Sequence, residues 1–593
     1  MATSIKRQYT DFAGVDFKND EGLVNLNRSP DALNIYKDYS AEGNCIQTRP
    51  GFLKLAEFDG RINGMYLYNT TTMLVHAGTK LYLWNNFPST PQNPLVLSTT
   101  MNNKRTVFFA FAGNVYILDG ANYLVYDGTL KNVSSVAFIP TTTRGRSPAG
   151  GGEAYQDINV LQAKRINTFI GDGTSKDYYL DTTDIDDVNE VYVNDVLITE
   201  YTVTKTIGKI TFTTAPSTTG ISGQDNVKVV FSKSVSGYID RISSCNITQV
   251  FDNRVFFSGN ISFKNAIFHS ELNNPTYVSD LSYYQEGSSE SSVKSMTVGN
   301  NILWVFKEPS QDNANVFYHI PTTDAEYGRI YPSKQGNIEI GCYSTSINFN
   351  DDIVFLSRYG LEGITGDIAQ EQLLTHRSSL VDNKLINTNN YEIAQMVEWK
   401  GYLLILADTY IYLADSRQKY QGINGIEYEW YLWNISESSP SILKEYKGNL
   451  YIGSTDGKIY KLGGTNDNGE IINSYWTTPM DAFGYSNMLK TTNKRGGIAR
   501  IKTIPNGKIK IAEQTNKKDE KFITSKSAKG FSYNNFIYND FAYTTKNDNY
   551  VVYKIKEKKF LTISLKFYSD ELDKPFGLYS AILEAFIGGY VKR

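Results

Sequence analysis

The sequence is poor in the residues that most often carry chemistry. Its 593 residues include three cysteines, Cys45, Cys245 and Cys342, and four histidines, His76, His269, His319 and His376. Three widely separated cysteines, odd in number, give no disulfide framework, and no two of them stand at metal-ligand spacing. The histidines are equally scattered, which excludes a zinc site built on a local motif. No serine lies in a Gly-x-Ser-x-Gly elbow followed by partners in hydrolase order. An excess of one charge is lacking too: 59 basic residues against 62 acidic ones leave a formal charge of -3, so there is no bulk electrostatic reason to hold nucleic acid tightly. No apolar run approaches the ~18 residues of a membrane-crossing helix, and the opening MATSIKRQYTDFAG lacks the apolar segment of a signal peptide. The expectation is a protein made in a cytoplasm, without a membrane anchor.

What is plentiful is β-forming. Aromatic residues make up 13% of the chain, with 43 Tyr and 30 Phe, and abundant Thr, Val, Ile and Gly add to a composition that favours strands. An all-β chain is expected. Within it one pattern recurs. KGNLYIGSTDGKIYKLG (447–463) reads as a tight turn, a short apolar strand, a second turn and another strand, which is a β-hairpin. Related stretches are EWKGYLLILADTYIYLAD (398–415), FNDDIVFLSRYGLEGITG (349–366), VGNNILWVFKEP (from 298), VFDNRVFFSGN (from 250), FAGNVYILDGANYLVYDG (111–128) and TTTMLVHAGTKLYLWN (from 70), seven units in all. From the third onward they recur every roughly 45 to 50 residues, the period of a four-stranded propeller blade. A lone hairpin cannot bury both faces, so the expected solution is a ring of packed blades.

The remaining segments frame this array. An N-terminal arm, 1–60, carries no repeat; Phe52, Leu53 and Leu55 could add a strand to the last blade, so the arm is expected to close or brace the ring. A β-propeller of about seven blades, with six to eight compatible with the spacing, occupies 61–167 and 234–466. The turn-rich stretch 141–169, with Gly150 to Gly152 in a row, reads as a flexible crossover. Within 168–233 the period switches to strict alternation at Val191, Val193, Val196 and Ile198, then at Ile210 and Phe212, with turns at Asn194-Asp195 and Gly208, as in a small inserted β-sandwich. The one helix candidate is IAQEQLLTHRSSLVDNKL (368–385). A C-terminal β-sandwich domain is expected over 467–593, where KFLTISLKF alternates cleanly.

Few groups suggest a site. Asp184, Asp186 and Asp187 lack the glycine and terminal glutamate of a calcium loop and read as a solvated turn. Trp430 and Trp433, three apart in EYEWYLWNIS, could stack a sugar, although on a blade such a pair more often packs between neighbours. STDGKIY (454–460) resembles the aspartate box of sialidases, which is a hairpin turn and not their active site. No metal, cofactor or catalytic residue is assigned.

Three motifs in the arm, GVDFKND (14–20), SPDALNIY (29–36) and TRPGF (48–52), give the chain a likeness to known proteins, joined by YQDINVLQAKRINTF (155–169) and VYVNDVLITEYTV (191–203). With these the chain resembles structural proteins of tailed bacteriophages, the propeller proteins of tail nozzles and of neck or collar rings. The resemblance implies a virion protein, made in the bacterial host cytoplasm. It would assemble with copies of itself as a symmetric ring around the DNA path, as a nozzle, collar or stabilisation protein. It would contact other tail or neck proteins, let DNA pass without specific binding, and perform no catalysis. Two alternatives stand beside it. One is a host-surface glycan-binding tail protein using Trp430 and Trp433; the other is a propeller glycoside hydrolase, which needs carboxylates converging on a central tunnel.

Overall fold

Among the pairs of adjacent residues with positive φ, six recur at equivalent places along the chain: Ala112-Gly113, Asp252-Asn253, Asn300-Asn301, Asn350-Asp351, Lys400-Gly401 and Lys447-Gly448. Each pair is a two-residue loop between antiparallel strands, as in the Phe251↔Arg254, Gly299↔Ile302 and Phe349↔Asp352 partners. Two successive left-handed residues define the type I′ turn, whose twist matches that of the strands it joins, which is why Asn, Asp and Gly fill most of these positions. The computed structural model that places them describes residues 4–39, 45–91, 93–218, 221, 223–310, 315–325, 328–336, 339–364, 374–422, 425–528 and 549–590.

Among the described residues those turns join the first two strands of six of seven four-stranded antiparallel sheets, most of which are built of consecutive strands. The first sheet lies within Ile62–Leu67 to Leu95–Ser98, and the last combines Pro440–Tyr446, Asn449–Ser454 and Lys458–Leu462 with Phe52–Glu57. In that last sheet Leu462 stands opposite Phe52 and Lys458 opposite Glu57, so the arm supplies the outer strand. Five of the seven hairpin units supply the second and third strands of a sheet, and the units from 298 and 250 supply the end of the first strand and the whole of the second. The second strands, such as Tyr402–Ala407 and Ile302–Lys307, are buried along nearly their whole length. Burial on both faces accounts for their unbroken apolar runs, and each fully buried Leu, Ile or Phe stabilises the fold by about 1.5–3 kcal/mol.

The chain divides into two compact units, one of residues 1–72, 84–93 and 341–593, the other of 73–83 and 94–340. In the second, the opening strands Val107–Phe111, Ile247–Phe251 and Val293–Gly299 pack in succession; in the first, Ser346–Phe349, Gln395–Trp399, Pro440–Tyr446 and Ile62–Leu67 do the same. The second unit also holds a six-stranded sheet, which includes Thr141–Arg146, Lys164–Phe169, Val227–Ser232 and Asp187–Val193, and a three-stranded one of Asp177–Tyr179, Lys209–Phe212 and Tyr201–Thr204. Their inward side chains, among them Phe169, Tyr178, Val191, Phe212, Val229 and Phe231, form a separate buried cluster. In the first unit, two larger sheets contain the strands of 474–590 together with arm strands. Ala32–Leu33 pairs with Ser474–Thr477, and both Cys45–Thr48 and Ser4–Tyr9 pair with Gly577–Tyr590. Both chain ends therefore build this region.

Three expectations need correction. The helix over 368–385 is not formed: Leu374–His376 is the fourth strand of the fifth sheet and helix is confined to Asp382–Leu385, while 368–373 lies outside the described residues. Pairing with Gly360–Ile364 gives this backbone a ladder, and tertiary pairing overrides a modest helical pattern. The stretch 141–169 is not a loose crossover, because Thr141–Arg146 runs parallel to Lys164–Phe169 and Gly152 packs against Arg146. Val196, placed by alternation with the core, is 61% exposed. Its strand is the two-residue edge Val196–Leu197, too short to reach the cluster.

Candidate functional site

A dense polar construction in the first unit is the seat of the arm. Arg49, from TRPGF, is 2% exposed and donates all five of its guanidinium hydrogens. Its Nε donates to Asn34 Oδ1 (2.9 Å), one terminal nitrogen to Pro50 O and Asp467 Oδ1 (3.0 and 2.8 Å), and the other to Asn434 O and Asp467 Oδ2 (2.8 and 2.5 Å). Asn34 has φ 57°, a backbone conformation that Asn tolerates well. Its side chain also accepts from Asn434 N and donates to Asn473 O. One arginine thus ties the arm to the end of the sixth sheet and to the start of the C-terminal region.

The neighbouring motif residues serve the same seat. Gly51 is obligatory by proximity: a Cβ there would stand 1.8 Å from Asn466 O. Thr48 Oγ1 bonds Ser474 Oγ (2.9 Å) and accepts from Phe576 N (3.0 Å). In SPDALNIY, Ser29 donates to Thr477 O, and the Tyr36 ring meets the edges or faces of Trp399, Tyr402 and Trp433 at 5.7–6.4 Å. In GVDFKND, Gly14 (φ 123°) lies where a Cβ would be 2.3 Å from Trp430 O, and Asp16 accepts from Lys18 N, Asn19 N and Asn19 Nδ2. A second buried pair, Arg28 with Glu429 (2.9 and 2.5 Å), is capped by the Tyr420 ring 4.4 Å from the guanidinium. Lys502 with Asp38 and Arg7 with Asp481 add two more ties.

Trp430 and Trp433 belong to this seat and not to a surface. Both have 0% exposure; Trp430 Nε1 donates to Arg377 O and Trp433 Nε1 to Ile35 O, each at 3.1 Å. An indole with no accessible face cannot stack a sugar, so the glycan-stacking role that only the alternative function gave this pair does not hold. Three residues apart on a strand, they point to opposite faces.

The histidines are likewise absorbed. His376 is held between two carboxylates, Nδ1 to Glu362 Oε1 at 3.0 Å and Nε2 to Asp382 Oδ2 at 2.7 Å. Burial alone would lower its pKa, but the hydrogen bonds to Asp382 and Glu362 outweigh that and raise it to about 10. The nearby Ser378 hydroxyl donates to Asp382 and not to the imidazole, so the group is an ionic clamp and no nucleophile is activated. His269 and His319, 50 residues apart and at matching ends of successive third strands, flank the Tyr284 ring at 5.6 and 5.3 Å. Burial pushes His269 down to about 4, and His319 Nε2 faces the buried Glu286 Oε1 at 3.1 Å. His76 bonds Thr106 and Gly78 O. All three cysteines are free and buried, and no group of three or more His, Cys, Asp or Glu among the described residues is arranged to hold a metal.

The likenesses to known proteins are faint. No family model matches the chain, and no curated protein does. Among solved structures it is similar to the computationally designed Ika8 protein (10% identity, 69% of this chain and 99% of that one, TM-score 0.30). Another is the AfRom2 CNH domain (6% identity, 69% and 98%, TM-score 0.33). A third is PorZ, a bacterial surface component of the type-IX secretion system of Porphyromonas gingivalis (10% identity, 86% and 82%, TM-score 0.20). Scores this low carry no argument about this chain.

Proposed function

We propose that the chain is a structural component of a bacteriophage tail or neck, a propeller of seven blades that assembles as a symmetric ring around the DNA path. The observation that carries this reading is the seat of the arm. The arm completes the seventh four-stranded sheet through Phe52–Glu57 and anchors itself through Arg49, Arg28 and their buried partners. A strand from one end of the chain that completes the last sheet of a tandem series is the natural way to close a ring of blades. The residues that lock it lie in the motifs on which the resemblance to phage tail proteins rests. Two more features support a mechanical role. The formal charge of -3 suits a conduit that must not grip what passes, and the extra sheets at 141–232 and in the C-terminal region offer each subunit surfaces for heterologous contacts that close.

The test is the protein inventory of purified phage particles. The chain is expected as a multi-copy constituent that stays with tails after heads are disrupted. Its absence from particles would contradict the proposal. The glycan-binding alternative no longer has Trp430 and Trp433 to stand on.

A further inference from the structure

On the outer face of the six-stranded sheet, away from its buried cluster, lies a cleft of about 600 Å³. That volume falls in the ~300–1,000 Å³ span of ordinary ligand sites. The floor is the cross-strand pair Tyr192 and Lys228, opposite each other in the ladder, with the ammonium 5.4 Å from the ring centroid. Alternation places them on the side opposite Val191, Val227 and Val229, which belong to the core. One wall is fixed by Asn226, whose Oδ1 accepts from Gly171 N (2.7 Å) and whose Nδ2 donates to Ser217 O (2.6 Å). Beside it Asp225 Oδ2 accepts from Gly145 N and from the Thr168 hydroxyl. The other wall is the type I′ turn Asn194-Asp195 (φ 48° and 62°).

Several groups lining this space have no bond to the rest of the described residues. They are the Asp195 carboxylate, the Gln224 carboxamide and the second oxygen of Asp225. The Tyr192 ring is half-buried, and its hydroxyl is turned to Glu190 (2.8 Å). Two carboxylates against one ammonium make the cleft unattractive to phosphate or a polyanion. Planar carboxylate and amide groups with unused bonding capacity, next to an aromatic surface, suit a ligand that offers many hydroxyl donors and an apolar C–H face. We infer that this cleft binds a neutral saccharide, with Asp195 and Gln224 bonding its hydroxyls and Tyr192 supporting the ring. The inference does not depend on the chain forming a ring or belonging to a particle.

Saturation-transfer NMR on the full chain, with maltohexaose, cellohexaose and chitohexaose as neutral probes and a heparin hexasaccharide as the polyanionic one, tests it. Transfer to at least one neutral probe is expected, with affinity falling at least tenfold in the Asp195→Gly, Gln224→Ala double variant. Gly suits the left-handed turn position and Gln224 is exposed, so the thermal midpoint should not move; Gln224→Ala alone, several-fold weaker, serves if it does. Failure of all three neutral probes, transfer unchanged in the variants, or binding of heparin alone would each overturn the assignment.

Discussion

A single guanidinium whose five donors are all used is the residue on which the arm depends. Removing it would leave Asp467, 4% exposed, as an uncompensated charge, and breaking a buried pair from one side costs roughly 3–5 kcal/mol. Arg49→Met should lower the unfolding free energy read from the urea transition by that amount, whereas Arg49→Met with Asp467→Leu should regain a large part of the loss. A second residue-scale effect concerns pH. The His376 pKa is raised from 6.5 to about 10 in the fold. Its clamp therefore contributes full stability below about pH 6.5 and loses it as pH climbs through 10. Urea midpoints measured from pH 6 to 10 should fall more steeply for the native chain than for His376→Gln; parallel profiles would refute the clamp. The importance of Arg49 was only half legible. Phe52, Leu53 and Leu55 point to a strand joining the arm to the last sheet, but the carboxylate partner of Arg49 lies 418 residues along the chain, and no local pattern could point to it. Nor could the pairing of His269 with His319 be read from motif spacing, since it is the repeat period that brings them together.

Elements were easier to read where burial is symmetrical. The second strand of each sheet is covered on both faces, so YLLILA and ILWVFK stand out as apolar runs, and the Asn, Asp, Lys and Gly pairs before most of them fix the turn. At these turns Asn301 (φ 57°) gives a direct check. Asn301→Gly should stabilise by a few tenths of a kcal/mol or more, and Asn301→Val should cost about 1–2 kcal/mol, because a β-branched residue resists the left-handed region. Thermal melts of the two variants moving in the same direction would contradict the turn assignment. Reading was poorer at sheet edges. The leucines of 368–385 suggested a helix because a short outer strand carries little alternation of its own, and Val196 looked inward because alternation does not reveal where a strand ends. The contribution of arm strands to the C-terminal sheets was also hidden, for Ala32–Leu33 is two residues long and its partner is Ser474–Thr477.

At the scale of the whole molecule, the proposed function would use the tandem sheets that cannot bury their faces alone, the arm strand that completes the last of them and the polar seat that holds that strand as sources of stiffness. The proposed ring of subunits is the functional expression of that stiffness. Electron microscopy of the purified chain is the most direct measurement. The expected image is a closed ring of a fixed number of copies with an open axial channel, each copy showing seven small sheets arranged radially. Isolated monomers at every concentration, or sheets without a common centre, would contradict it.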